Sequence, residues 1–475
     1  MRIIVFGTGA FFINRKDILS KEEIIVFIDN DKNKWNKKID NIPVVSPDRI
    51  KEFSYDKLIV MSRKKEEIKS QLMSDFGIDE TLILDFEKYC ECSAKNKELC
   101  EVVMHYKKNH FYFSKNKTKI LIITYALNYN GGSLAAFYAA LALKEKGFDT
   151  VIVAGKANKC LVNEITNKGV AVFIQDLIDY CTWEQISWIE QFDYIIVNTL
   201  QLGRIIKELI YRKSVMWWIH ESRVEYEYLD KGIIESTDNM NIETYVVSDV
   251  ALRTFFQYFN KINANILHYG IPDKAFGITQ FNISGKTVFA VIGGFAFIKA
   301  QDIYLKAITQ LTQEERDKSE FWLIGACPPE NQYGISVMKQ AETIPEVKWF
   351  GELNREDIEK VYKSIDVVVV PSRQETMSIV MTEAFMYGKV GIASNAIGMA
   401  DYIEDEENGL IFANESSNDL SKKMSWVLNN KSKLSTMSKK ARQIYEKYFT
   451  LEVFGDRLKT IISDLDERKV NDTYE

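Results

Sequence analysis

The stretch that decides the fold runs from Ile365 to Ser394, IDVVVVPSRQETMSIVMTEAFMYGKVGIAS. Its opening, IDVVVV, is dominated by β-branched residues, the pattern of a parallel strand buried on both faces. A helix is predicted next, from about Ser378 to Tyr387, with Gly388 as its C-terminal cap. Ile379, Val380, Met381, Ala384, Phe385 and Met386 leave that helix almost no polar face, so it is expected to be buried nearly all round. Two carboxylates interrupt this apolar segment: Glu375 on the loop and Glu383 inside the helix. Glu383 needs a hydrogen-bond donor, because an unpartnered buried charge costs far more than burial returns. The helix start at Thr376, Met377, Ser378 and Ile379 offers free amides and a positive dipole end, which attract phosphate. Glu383 lies roughly 8 Å further along the axis, at about 1.5 Å per residue. Each carboxylate can accept two hydroxyl hydrogens, so the pair suits two diols bracketing a diphosphate, the outline of a nucleotide-sugar.

The same alternation of strand and helix extends through the chain. RIIVF, EIIVFID, KLIVM and TLILDF mark a small parallel α/β unit over residues 1–88, and a charged, aromatic segment at 89–117 suits a linker or interdomain helix. The rhythm restarts at Lys119 with KILIITY, DTVIVAG, VAVFI, DYIIVN, SVMWWIH and ETYVVS, a doubly wound domain over 118–280. TVFAVIGG, EFWLIGA, VKWFG, IDVVVVPS, KVGIAS and GLIF make a third over 281–475, closed by a long charged helical segment from Asp419 onward. The fold class is therefore α/β, with three Rossmann-like units in one chain. Tandem domains of this type bind ligands in the cleft between them, at the carboxyl ends of the strands.

Composition narrows the partners. A net charge of −6 over 475 residues provides no basic field for a nucleic-acid backbone, so no nucleic acid is expected. No run approaches the roughly eighteen apolar residues of a membrane span, and the chain starts directly on a strand rather than a cleavable signal, which reads as cytoplasmic. Cys90, Cys92 and Cys100 with His105 have the spacing C-x-C-x7-C-x4-H, which is not a common zinc pattern, so the cysteines read as free thiols and no metal is expected.

The segment from Pro371 resembles the signature of retaining GT-B glycosyltransferases of glycosyltransferase family 4: Pro-Ser, two residues, Glu, seven residues, Glu-Ala, then a small residue and Gly. It stands here as Pro371, Ser372, Glu375, Glu383, Ala384 and Gly388, and the resemblance covers about residues 118 to 460. It implies two Rossmann-like domains in a GT-B fold, the first for the acceptor and the second for the donor. By the same resemblance, Gly131 and Gly132 form the glycine loop beside the sugar diphosphate or acceptor. His220 stands at a strand end near the transferred sugar, with Glu221 after it. IGGFAFIKAQ resembles the family's G-R-x4-K-G stretch: Lys299 matches the lysine, Gly294 stands where the arginine is expected, and Ala300 replaces the following glycine. Arg373 is a candidate replacement cation. Gly398 matches the loop that brings backbone amides near the phosphate, and Asp401 stands at the family's usual glutamate.

What the resemblance implies is transfer of a sugar from a nucleotide-sugar, UDP-linked by expectation, to a saccharide or lipid-linked saccharide with retention of configuration. Glu375, His220 and Lys299 would be catalytic, and no cofactor or metal would be needed. Synthesis of cell-surface polysaccharide or glycoconjugate is the expected setting, with peripheral contact at the inner face of the membrane as an option for the aromatic linker. A non-catalytic GT-B-like subunit that stabilises or targets a partner enzyme is the alternative, kept open by Gly294. In the first unit Gly7, Gly9 and Asp29 resemble a dinucleotide-binding turn, but Phe12 stands at the third glycine. That unit is therefore expected to serve homo- or hetero-oligomeric assembly rather than to bind a cofactor.

Overall fold

Continuous apolar runs become the inner strands of three largely parallel sheets. The computed structural model describes residues 1–13, 15–95, 103–105, 114–229, 231–275 and 285–472. Cys100 and most of the expected linker, including 106–113, lie outside the described residues. The chain divides into two compact units, Met1–Cys100 with Tyr180–Ile186, and Glu101–Asp179 with Ser187–Glu475.

In the first unit the sheet runs Lys38–Ile39, Ile42–Val45, Glu23–Ile28, Arg2–Phe6, Lys57–Val60, Ile83–Asp85, all parallel but for the short edge strand Lys38–Ile39. Gly7 adopts a φ of 99°, and a Cβ there would lie 2.7 Å from the Met61 carbonyl oxygen, so the turn needs glycine. Phe12 is a core residue, packed edge-on against Phe27 at 5.0 Å. Asp29 is saturated by its own unit. Its carboxylate accepts the Thr8 amide at 2.9 Å, the Thr8 hydroxyl at 2.6 Å and Lys34 Nζ at 2.8 Å. Burial pushes this carboxyl up, but the hydrogen bonds from Lys34 and Thr8 outweigh it and hold it below the usual range.

The second unit holds two sheets. The first runs Ala264–Ile266, Glu243–Val246, Ser214–Ile219, Tyr194–Asn198, Lys119–Thr124, Asp149–Ala154, Ala171–Ile174, Val103–His105. Val103–His105 pairs antiparallel to Ala171–Ile174, so part of the segment read as a linker is an edge strand. The second sheet is wholly parallel: Val347–Trp349, Ser319–Ile324, Thr287–Ile292, Val367–Val370, Val390–Ser394, Leu410–Phe412. Val367–Val370 is buried throughout because it lies between two neighbours and is covered on both faces.

The charged C-terminal stretch is three helices, Ser417–Asn429, Lys431–Tyr448 and Leu451–Asp472. The last packs on Gly131–Glu145 of the preceding sheet, with Lys146 paired to Asp456 at 2.5 Å and Phe454 beside Trp218 at 5.4 Å. By packing it belongs to the half that it follows only at a distance in sequence. Gly270 lies where the chain crosses between the sheets. A Cβ there would stand 2.3 Å from the Thr450 carbonyl oxygen and 2.7 Å from Phe454 Cβ. Gly270→Ala is expected to lower stability by about 2 kcal/mol, read as an earlier urea midpoint with an unchanged slope; an unchanged midpoint would refute this packing.

Candidate functional site

The loops after the central strands of the second unit carry the expected site residues. Pro371–Ser378 leaves the strand Val367–Val370 and enters the helix Ile379–Met386. Glu375 is fastened on both backbone sides, its amide to the Ala396 carbonyl at 3.3 Å and its carbonyl to the Gly398 amide at 3.0 Å. Its side chain accepts Lys299 Nζ at 2.9 Å and the Ser372 hydroxyl at 2.9 Å. Ser378 caps the helix by accepting the Met381 amide at 3.3 Å, while the first-turn amides of Ile379 and Val380 have no intrahelical acceptor. Met377 is buried. Glu383 is part-buried and accepts the Tyr362 hydroxyl at 2.9 Å. Burial raises its pKa, opposed by the Tyr362 hydrogen bond and the charge of Arg355.

Lys299 ends the short 3-10 turn Phe297–Lys299, and Ala300 after it takes the left-handed conformation at φ 55°. This turn is clamped by Arg373. The guanidinium bonds Asp302 at 3.0 and 2.9 Å, Glu415 at 2.8 Å and the Phe297 carbonyl at 2.6 Å, and lies 4.0 Å over the Phe297 ring. Arg373 is therefore committed to holding the Lys299 turn and does not take the place of the arginine expected at Gly294. Gly294 itself has room: a Cβ there would approach nothing nearer than the Ala326 carbonyl oxygen at 3.8 Å. Its carbonyl accepts Gln301 Nε2 at 3.1 Å.

The first sheet supplies the facing wall. Gly131 and Gly132 open the helix Gly131–Glu145 behind the cap Asn130. Asn198, buried at a strand end, donates through Nδ2 to the Gly132 carbonyl at 3.1 Å and to Thr124 Oγ1 at 3.2 Å. Its Oδ1 lies 2.8 Å from His220 Nε2 and is left as an acceptor, so Nε2 carries the proton and Nδ1 the lone pair. Burial lowers the His220 pKa to about 3, which makes the ring a neutral group at physiological pH. Glu221 Oε2 accepts the amides of His220 at 2.9 Å and Leu200 at 3.0 Å, joining two strand ends.

The two walls meet at Thr376. Its hydroxyl donates to the His220 carbonyl at 2.6 Å, and its carbonyl accepts the Ser248 hydroxyl. A Cβ on Gly398 would stand 2.0 Å from the Thr376 carbonyl oxygen, so the junction excludes any other residue there. A second bridge lies beside Glu383, where Arg355 donates to the Tyr138 hydroxyl at 2.7 Å and to Glu164 at 3.3 Å. Asn198, Tyr362, Arg355 and Tyr138 were not legible as site residues. Each acts through a partner more than twenty positions away in sequence, except for the hint that Arg355 follows the helix cap Asn354.

Arg373→Lys is expected to cost about 3 kcal/mol, since an ammonium cannot fork Asp302 and reach Glu415 together; equal denaturation midpoints would remove Arg373 from this role. Burial raises the Glu221 pKa to about 7, above its ordinary 4.5. A raised carboxyl contributes stability that is fully present below the unfolded pKa and lost as pH rises through the folded one. Glu221→Gln, which keeps an acceptor, should therefore gain melting temperature relative to the parent between pH 5 and pH 8. The same difference at both pH values would contradict this.

Three family models match the chain: C2185-like, N-terminal at residues 1–84, Glycosyl-transferase family 4 at 115–261, and Glycosyl transferases group 1 at 275–444. An uncharacterized glycosyltransferase of Methanocaldococcus jannaschii is 24% identical over 190 residues, covering 40% of this chain and 48% of that protein. The D-inositol 3-phosphate glycosyltransferase of Corynebacterium kroppenstedtii is 26% identical over 132 residues, 26% of this chain and 29% of the relative. The chain thus spans half or less of the length of these curated relatives. Anabaena HepE, crystallised in complex with UDP, shares the fold with a TM-score of 0.62 at 17% identity, over 73% of this chain and 100% of that one. The second unit thus has the GT-B fold, and its two halves match the models of Glycosyl-transferase family 4 and Glycosyl transferases group 1.

Proposed function

We propose that the protein transfers a sugar from a nucleotide-sugar to a hydroxyl of a saccharide or lipid-linked saccharide, with retention of anomeric configuration. The observation that carries this reading is the Lys299–Glu375 pair at 2.9 Å, set against a helix start with free amides. The diphosphate lies at the amides of Ile379 and Val380 beside Lys299, and Glu383 with Tyr362 takes the ribose diol. Glu375 accepts hydroxyls of the transferred sugar, giving up part of its Lys299 pairing as the phosphate enters. The HepE neighbour, crystallised with UDP and with UDP-glucose, supports a UDP-linked donor.

In the reaction the acceptor oxygen forms its bond to the anomeric carbon on the face from which the diphosphate leaves. The carbon–oxygen bond to the diphosphate breaks, and the departing oxygen takes the acceptor proton. Lys299 and the helix amides offset the charge that grows on that oxygen, the main electrostatic demand, so the reading is of a metal-independent enzyme. Neutral His220 offers the lone pair of Nδ1 as a hydrogen-bond acceptor for the sugar or the incoming hydroxyl. We assign the product to cell-surface polysaccharide or glycoconjugate synthesis on the cytoplasmic side. Among the described residues no helix is long and apolar enough to cross a membrane. The first unit, whose Asp29 is saturated internally, serves assembly rather than cofactor binding in this reading.

Gly294 favours one competing reading, a non-catalytic subunit, because it removes a cation from the diphosphate end. Thermal shift of the full chain against a panel of nucleotide diphosphates and nucleotide-sugars separates the two, since a native-state ligand raises the transition. UDP and UDP-sugars are expected to raise it. Glu375→Ala is expected to keep UDP binding while cutting transfer and donor hydrolysis by about a hundredfold or more. Rates unchanged in that variant would defeat the catalytic assignment.

A further inference from the structure

Asn198 stands last in the strand Tyr194–Asn198, in register with Thr124 of one neighbouring strand and Trp218 of the other. His220 follows two residues after Trp218, and its ring packs edge-on against that indole at 4.3 Å. This spacing returns the side chain to the same face of the sheet and brings the ring to the Asn198 amide. An amide as fully buried as this one is costly unless each of its polar atoms is paired.

Here the pairing is complete, and it leaves no choice of orientation. The Gly132 carbonyl can only accept, so the Asn198 atom 3.1 Å from it is Nδ2. Nδ2 also donates to Thr124 Oγ1 at 3.2 Å, whose own hydrogen points to the Ala126 carbonyl at 3.4 Å. Oδ1 is then the atom 2.8 Å from His220 Nε2, where it accepts the ring hydrogen. The glycine turn thus dictates the orientation of Asn198, and Asn198 dictates which ring nitrogen keeps its lone pair. That nitrogen, Nδ1, has no hydrogen-bond partner among the described residues, and His220 is partly exposed. The titratable neighbours are committed elsewhere. Glu221 takes the amides of His220 and Leu200, Glu225 four residues on takes the Ser222 amide and hydroxyl, and Glu375 before the Thr376 junction is paired with Lys299.

We propose that Asn198 is a positioning residue: tied to the glycine turn, it holds His220 as a hydrogen-bond acceptor, so that the ring takes a substrate group that donates a hydrogen, a sugar hydroxyl. This rests on the glycosyltransferase reading above and deepens it, naming what fixes the ring and which partner the ring selects. An ether or O-alkyl group at that point has no hydrogen to give and is refused.

The test reads the ring directly, through imidazole nitrogen chemical shifts of the full chain, with His220→Gln identifying the His220 signals among the 4 histidines. The parent is expected to show a single neutral form protonated at Nε2 across about pH 5 to 8. Asn198→Leu removes the acceptor. Its ring should lose the single form, and transfer should fall about tenfold or more while UDP still raises the melting temperature. Asn198→Asp sets a carboxylate against the Nε2 hydrogen, which raises the ring pKa, so that Nδ1 is protonated at low pH. Transfer by this variant should be lost there and return as pH rises and the ring gives up that proton, a recovery that a packing defect alone does not produce. A parent ring protonated at Nδ1, an Asn198→Leu ring with the shifts of the parent, or transfer within about twofold of the parent in either variant at every pH overturns the proposal. A parent chain inactive with every nucleotide-sugar instead overturns the glycosyltransferase reading, and the ring spectra still decide whether Asn198 holds His220.

Discussion

The site depends on one junction, the hydrogen bond from Thr376 Oγ1 to the His220 carbonyl at 2.6 Å. It joins a loop of the second sheet to a strand end of the first: Glu375 precedes Thr376 on one side, and His220 itself supplies the carbonyl on the other. The junction is close because Gly398 has no Cβ to hold the Thr376 carbonyl off, and because Ser248 bonds that same carbonyl. A small residue and two short hydroxyl side chains thus fix the relation of the two walls, a task that long charged side chains would perform with more entropy to lose.

Charge in the site is arranged in pairs with different degrees of commitment. Arg373 is a building element: it is nearly buried and uses its fork on Asp302, with Glu415 and a backbone carbonyl taking its other hydrogens. Lys299 has one carboxylate partner, Glu375, and a side chain one-third exposed, so an incoming phosphate can compete for it. His220 and Glu383 illustrate the third case, in which burial moves the protonation equilibrium and a neutral neighbour, Asn198 or Tyr362, makes up the hydrogen bond. The absence of an arginine at position 294 is not forced by space, which makes it a property of the chain rather than of the fold.

Much of the architecture was legible in the residue pattern. The valine run at 367–370, the apolar helix with Gly388 at φ 61° behind it, and the six strands of each second-unit domain that the reading named all stand where it put them, because fully buried strands and helices leave periodic apolar runs. Short edge elements escaped it. Lys38–Ile39, Val103–His105 and Ala264–Ile266 are two or three residues long, and their apolar content is too small to outweigh the local polar composition.

The sequence by itself determined the α/β class, the order of strands along the chain and the pair Glu375 and Glu383, since burial periodicity and local spacing are written in consecutive residues. Only the tertiary structure decided that Arg373 is consumed by Asp302, that Asn198 fixes the tautomer of His220, and that the last helix returns to the first sheet. Those facts depend on which side chains meet across distant parts of the chain. A hydrogen bond is a property of the meeting and has no local periodicity to reveal it.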